Sequence, residues 1–361
     1  MHLEQMMDRR FFGYRSPLGC FRWMKNVKKN LLWKGASVSD RLWCIRHGFT
    51  VSSFNLYGHE NLKKNYRDYL SERQYLKMHP FNGAFSVWID DKLTMKYVFS
   101  QYDEYLPAYY FHIENGEALR LANCPDTVTA KGFDGILQLL GEKKALAAKQ
   151  LWGSCGDGFY RLEYTGGEYL ITGKKASRED VVRLLSALDH YIITEFIRNH
   201  TDISSIWPDA TNTVRMMMAV VDGEPVLMRS FIRFGNARSN GVDNAHAGGI
   251  EAIIDEETGK ILFAVSLDAQ NYATRIETHP DSGASFQIRI PHWQLLEEKC
   301  REICLHYPEL RYWGFDIAVT QDSFKILEIN SLSGLMAAQL KEPMLRDPKT
   351  RRVYQSFGLK P

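Results

Sequence analysis

The chain has 361 residues, 45% of them hydrophobic and 24% charged, which suits two or three folding units and excludes a disordered chain. Its 45 basic and 43 acidic side chains leave a net charge of +2, too balanced for a nucleic-acid binder, so no nucleic-acid partner is expected. No apolar run nears the ~18 residues of a membrane span, no signal peptide is visible, and the cysteines at 20, 44, 124, 155, 300 and 304 form no framework, so reduced thiols in a cytoplasmic protein are the expectation.

Charge is uneven along the chain. Residues 1–35 carry eight basic side chains against Glu4 and Asp8, and the tail from Lys341 onward carries six basic and two acidic. Two readings fit: solvated faces, or a dock for an anionic partner such as a phosphorylated lipid carrier or the inner face of a membrane. Residues 1–78 read as a basic helical region, with Ser39-Asp40 as a cap and a further helical stretch at 62–78. After the turn at Pro80-Phe81-Asn82-Gly83, the apolar run Ala84–Ile89 reads as a strand, and Asp90-Asp91-Lys92 opens a helical spacing that Pro107 stops.

From Thr127 short helices and strands alternate. A helix is predicted at 133–140, a strand at 145–149, and then the loop Gly153-Ser154-Cys155-Gly156-Asp157-Gly158. Strands follow at 159–164 and 169–172, and Ser177 to Asp180 forms a capping-box pattern before a helix whose apolar face runs Val181, Leu184, Leu185, Leu188, Ile192. Strands are predicted at 191–197, 213–221, 225–234, 248–254 and 261–267, a helix at 293–306, and a hairpin of 315–320 with 324–329. The class is α+β, and the units are 1–78, 79–197, 198–340 and a basic tail, 341–361.

Three features could carry chemistry. In the C-terminal hairpin, a three-residue loop Gln321-Asp322-Ser323 would set Asp316 directly opposite Glu328, with Asn330 on the same face. Opposed like charges are unfavourable unless a cation lies between them, and Mg²⁺ takes such oxygens; a solvent-facing acid pair is the alternative. Lys149 ends a small apolar strand ahead of the glycine-rich loop, which is neither a Walker A loop nor a dinucleotide fingerprint. It reads either as a flap that lets backbone N–H groups approach phosphates or as a glycine-rich β-turn. Glu195 is a single carboxylate in the apolar run 192–197, positioned either for ribose hydroxyls or for water. No zinc motif and no serine-hydrolase elbow occurs, and Cys300/Cys304 read as two core residues on one helix face.

Lys92, Lys149 with its glycine loop, Glu195, then Asp316 and Glu328-x-Asn330 together resemble the ATP-grasp superfamily. The nearer likeness is to its sugar-transfer-associated members, carried by Arg46-His-Gly-Phe49, Asn212-Thr-Val-Arg215, Arg233-Phe-Gly235, Val242–Ile250, His279–Gly283 and Trp313-Gly-Phe-Asp316. The resemblance implies an ATP-grasp fold, with nucleotide held between two α+β subdomains behind a helical N-terminal region. It implies ATP contacts from Lys92, Lys149, Gly153, Ser154, Gly156, Gly158, Glu195, Phe196 and Ile197, and Mg²⁺, which Mn²⁺ can replace, on Asp316, Glu328 and Asn330. Arg215, Arg233 and Asn244 are the implied catalytic groups. The implied reaction is ADP-forming carboxylate–amine ligation through an acyl phosphate, on an anionic carboxylate such as a sugar acid or lipid-linked glycan, with an amine or amino acid. A kinase on the same fold and a non-catalytic nucleotide sensor are the rivals. Peripheral membrane contact through the basic termini is a further expectation.

Overall fold

A computed structural model of the chain describes residues 13–153, 158–239, 243 and 249–360. Two seven-stranded sheets, antiparallel throughout, organise it. The first holds β1 (Tyr109–Glu114), β2 (Glu117–Arg120), β3 (Ala145–Gln150), β4 (Tyr160–Thr165), β5 (Glu168–Ile171), β6 (Lys174–Ala176) and β7 (Tyr191–Glu195), in the order β2-β1-β7-β3-β4-β5-β6. The second holds β8 (Thr213–Val221), β9 (Glu224–Phe234), β10 (Ile250–Ile254), β11 (Ile261–Leu267), β12 (Ala273–Ile276), β13 (Tyr312–Val319) and β14 (Phe324–Asn330), in the order β12-β11-β10-β9-β8-β13-β14.

One face of the first sheet buries Leu146, Ala148, Leu162 and Ile193 against the helices Gly132–Lys143 and Arg178–Ala187. The second of these helices starts on the expected capping box, in which the Ser177 and Asp180 side chains each take the other's backbone N–H. Because strand side chains alternate, Lys149 points to the opposite face from Ala148.

The second sheet is covered on both faces. Trp313, Phe315 and Ile317 pack with Met95, Phe99 and the helix Trp293–His306, in which Cys300 and Cys304 are indeed core residues. The other face carries Met217, Phe231, Ile253 and Tyr312 beneath the helices Glu72–Met78 and Pro348–Ser356. Farther along the same strands that face changes character: beyond Tyr312 comes Asp316, beyond Met217 Arg215, beyond Phe231 Arg233, and beyond Ile253 Glu251. The charged half of this face is where a site can form.

Several expectations are corrected. Residues 84–89 are no strand; they form the 3₁₀ turn Gly83–Ser86 and the helical turn Val87–Asp90, because a six-residue apolar run carries no period of its own. The stretch 62–78 is split between the helices His59–Asn65 and Glu72–Met78. Ser37, not Ser39, caps the helix Val38–His47, and the strand expected at 191–197 ends at Glu195. Ile192 belongs to that strand and not to the preceding helix. The basic tail is packed: Val353, Tyr354 and Phe357 are buried, and Lys341, Arg346 and Arg352 are paired with Glu256, Asp68 and Asp222. No helix among the described residues is long and apolar enough to cross a membrane.

Candidate active site

Asp316 on β13 lies directly opposite Glu328 on β14, and Gly314 opposite Asn330. On the other side of β13, Arg215 of β8 is the cross-strand partner of Asp316. It grips both carboxylate oxygens, through Nε to Oδ1 and through Nη2 to Oδ2 at 2.8 Å, the bidentate geometry that a planar guanidinium allows. Arg233 of β9 adds its Nη2 at 3.0 Å from Asp316 Oδ2. Burial alone would push the Asp316 carboxyl up, but the two guanidinium charges outweigh it and hold the group well below the usual carboxylate range.

Arg233 also donates to Thr213 Oγ1 at 2.7 Å, and its Nε lies 3.7 Å from Asp243 Oδ2. Asp243 in turn accepts from the Thr213 backbone N–H at 2.8 Å and from its hydroxyl. Glu251 is the cross-strand partner of Arg233 on β10; it is 5% exposed, and its Oε2 has no hydrogen-bond partner among the described residues. Burial pushes its carboxyl up to about 7 although Arg233 and Arg215 draw it down.

The two sheets meet through Lys92. Asp91 caps the helix Lys92–Val98 by accepting from Thr94 N–H at 2.6 Å, which fixes the lysine at the helix start. Lys92 Nζ then lies 3.3 Å from Glu328 Oε2 and donates to the Gly153 carbonyl at 2.9 Å, so one buried cation links the hairpin to the glycine loop. Lys149 lies within the field of the same groups. Burial, then Lys92, lowers its amine to about 8 against the pull of Glu328, Asp243 and Asp316.

Asn330 Nδ2 lies 3.4 Å from Asp316 Oδ2 and 3.3 Å from Glu328 Oε1, so these three side chains converge on one point. Among the described residues no three His, Cys, Asp or Glu side chains form a metal-holding group, so a cation here needs the Asn330 amide as its third donor. A half-turn of that amide exchanges its N and O ends. Two carboxylates and an amide oxygen then make the all-oxygen set that a hard divalent cation takes, and the residues fit Mg²⁺.

The remaining expected residues are less tightly gathered. Glu195 pairs with Leu146, on the face of its sheet opposite to Lys149, where its Oε2 accepts from Ala108 N–H at 3.3 Å. The Phe196 ring lies 5.7 Å from the Arg161 guanidinium and 5.6 Å from that of Arg198. Ile197 is buried, and its carbonyl accepts from the Thr211 hydroxyl at 3.0 Å. Gly158 has φ +69°, and a Cβ there would lie 2.4 Å from the Tyr191 hydroxyl, so the loop's last glycine is required. Ser154, Gly156 and Asn244 lie outside the described residues.

Sequence reasoning missed Asp243, Thr213 and Glu251. Glu251 carried the signal used for Glu195, a single carboxylate in an apolar strand, Ile250-Glu-Ala-Ile-Ile254. Asp243 lay inside a quoted motif without being singled out. Asp90 was also missed: it accepts from the Ser331 backbone N–H at 2.9 Å and from its hydroxyl at 2.6 Å, fastening the chain just beyond Asn330.

Comparison with known proteins gives one match that carries weight. The model of the family described as sugar-transfer associated ATP-grasp matches residues 71–353. Similar solved structures include D-alanyl-alanine synthetase A from Vibrio cholerae O1 biovar eltor, at 10% identity and TM-score 0.42, covering 76% of this chain and 65% of that one. N5-carboxyaminoimidazole synthase from Aspergillus clavatus, in complex with ADP and a ribonucleotide, is similar at 11% identity and TM-score 0.39, covering 82% and 58%. The macrocyclase MdnC from Microcystis aeruginosa MRC, bound with precursor peptide MdnA, is similar at 13% and 0.38, covering 91% and 74%. The chain thus spans less than two thirds of the length of the first two, and likenesses this remote support no inference about activity. No curated protein matches the sequence. The family match covers well over half of the chain, from Ser71 before the helix Glu72–Met78 to Val353 in the last helix, and the chain belongs to the sugar-transfer associated ATP-grasp family.

Proposed function

We propose that the protein is an ATP-dependent, ADP-forming carboxylate–amine ligase. The observation that carries this reading is the opposed pair Asp316 and Glu328, joined by Asn330 and flanked by Lys92, Arg215 and Arg233. Phosphorylating a carboxylate requires one anion to approach the polyanionic end of ATP, and a site built for it gathers cations around a metal-holding acid pair. In this reading the 79–197 unit supplies the nucleotide grip and the 198–340 unit the metal-holding hairpin.

Lys92 and Lys149 hold the phosphates under the glycine loop, which contributes Gly153, Ser154, Gly156 and Gly158. Glu195, Phe196 and Ile197 form the edge that takes ribose and adenine. Asp316, Glu328 and Asn330 would hold Mg²⁺, or Mn²⁺ in its place, which supplies charge neutralisation along the phosphates when bound. Arg215 and Arg233 orient the substrate carboxylate and stabilise the transferred phosphoryl group, and Asn244 serves in this reading as a neutral donor. The carboxylate oxygen attacks the γ-phosphorus, the bond to the β-phosphate oxygen breaks, and ADP leaves. The amine then attacks the acyl carbon, phosphate departs, and the nitrogen loses a proton as the amide forms.

The family's description as sugar-transfer associated supports a sugar acid or glycan precursor as the carboxylate partner, with an amino acid or small amine as acceptor. The test is ADP and phosphate release with uronic-acid glycans and amines, alone and mixed. Release that needs both partners, with one phosphate per ADP, is the expected result. ADP release with a single acceptor and no free phosphate would make the protein a kinase.

A further inference from the structure

The helix Pro17–Leu31 has two unlike faces. Its inner face, Gly19, Cys20, Trp23 and Asn30, is buried, with Cys20 and Trp23 packed beside Leu76 of the helix Glu72–Met78. Its outer face is not polar. Leu18, Phe21, Met24 and Leu31 are each about half exposed, and Leu32 just beyond is 68% exposed. Exposed lysines lie among them: positions 18, 21, 25, 28 and 32 step by three and four and form a single stripe, Leu-Phe-Lys-Lys-Leu. Lys25 Nζ sits 4.8 Å from the Phe21 ring centroid and Lys29 Nζ 5.4 Å from that of Trp33, so basic and aromatic groups are interleaved on this face.

The charge of this face is one-sided. Residues 17–34 contain Arg22, Lys25, Lys28, Lys29 and Lys34 and no Asp or Glu. The C-terminal tail differs, since Lys341, Arg346 and Arg352 there are spent on acids of the fold. A convex helix face mixing large apolar residues with lysines that make no ion pair among the described residues matches a surface that is apolar below and anionic above. The five basic side chains of residues 17–34, with no acid among them, favour an anionic surface over an apolar protein groove.

We propose that the outer face of the helix Pro17–Leu31 docks the protein on an anionic lipid bilayer. Leu18, Phe21, Met24 and Leu32 enter the boundary between headgroups and acyl chains, and Lys25 and Lys28 extend past them to lipid phosphates. The helix lies in the interface and does not span it. The inference is independent of the ATP site, and its test reads no turnover.

The test is co-sedimentation of the full chain with vesicles of pure phosphatidylcholine and of phosphatidylcholine mixed with phosphatidylglycerol, at low and high salt. Binding to the mixed vesicles, with at least tenfold less to pure phosphatidylcholine and a loss on raising salt, is expected. A Phe21→Asp, Leu32→Asp double variant should lose binding at least tenfold, and Lys25→Ala, Lys28→Ala should lose only the preference for phosphatidylglycerol. Both pairs are exposed, so unchanged melting temperatures would certify the fold. Equal sedimentation with both vesicles, no sedimentation with either, or binding unaffected by the aspartates would overturn the proposal. So would a concentration-dependent dimer abolished by the aspartates, which would make the face a contact between copies.

Discussion

Asp316 faces Glu328 across the β13–β14 ladder because Leu327 is bulged out of β14. Nearer the turn Val319 pairs with Phe324 and Ile317 with Ile326; beyond the extra residue the register moves by one and brings the two acids together. The acids are nevertheless held differently. The Asp316 side chain is 3% exposed between two arginines, whereas that of Glu328 is 26% exposed and bears on Lys92 and Asn330.

That difference separates two substitutions. Asp316→Asn strips a buried guanidinium pair of its counter-charge, which costs about 3–5 kcal/mol of stability. Glu328→Gln is close to isosteric at a side chain about a quarter exposed, and Lys92 keeps the Gly153 carbonyl as a partner, so it is predicted to cost clearly less than Asp316→Asn. Both should abolish Mg²⁺-dependent turnover, but thermal unfolding should show a large fall in melting temperature for the first alone. Equal falls would mean that the arginine grip on Asp316 contributes nothing.

Lys149 makes nucleotide binding depend on pH. Its amine sits at about 8 in the folded chain, against the ordinary 10.5. Between those values the unfolded chain holds the extra proton, so this group makes stability rise with pH across the window. Binding runs the other way, because a phosphate needs the charged amine. ATP affinity measured by calorimetry should fall as pH rises above about 8, and Lys149→Arg should flatten that fall. A wild-type profile that Lys149→Arg leaves unchanged would remove the lysine from the phosphate grip.

Glu251 has the opposite sign. It keeps its proton up to about 7 when folded and only to the ordinary 4.5 when unfolded. The folded state therefore binds the extra proton in that window, and stability falls as pH rises through it. Glu251→Gln, neutral at every pH, should melt above wild type at neutral pH and converge with it near about pH 4. A melting gap constant across that range would contradict the assignment.

Gly314 is fixed by contact. A Cβ at this position would lie 1.7 Å from Ser333 Oγ, where the chain doubles back after Asn330. Gly314→Ala is predicted to cost about 1–3 kcal/mol, as overpacking does. Adding Ser333→Ala removes the atom struck and should restore most of the loss in a double-mutant cycle. Additive losses would show that the glycine is needed for its backbone alone.

Much of this architecture was legible in the sequence where period and punctuation agree. The strands at 213–221 and 261–267 and the helix at 293–306 have the expected bounds. The opposition of Asp316 and Glu328 was also foreseen, but by two errors that cancel. The turn is the four-residue loop 320–323 rather than three residues, and the Leu327 bulge, which no residue pattern announces, restores the register. β1 and β2 went unseen although Asn115-Gly116, both at positive φ, mark a two-residue hairpin between Glu114 and Glu117. The strand expected at 84–89 failed because short apolar runs suit either backbone. The pairing of Arg215 and Arg233 with Asp316 depends on β8, β9 and β13 lying side by side, and sheet order across about a hundred residues leaves no local trace.

Calorimetric titration of ATP into wild type and Glu328→Gln, with and without Mg²⁺, tests the central claim most directly. Wild type should bind ATP at least tenfold more tightly with Mg²⁺ than without it, while Glu328→Gln, folded as wild type, should lose that gain. Equal enhancement by Mg²⁺ in both proteins would contradict the account, because the metal would then be held somewhere other than between Asp316, Glu328 and Asn330.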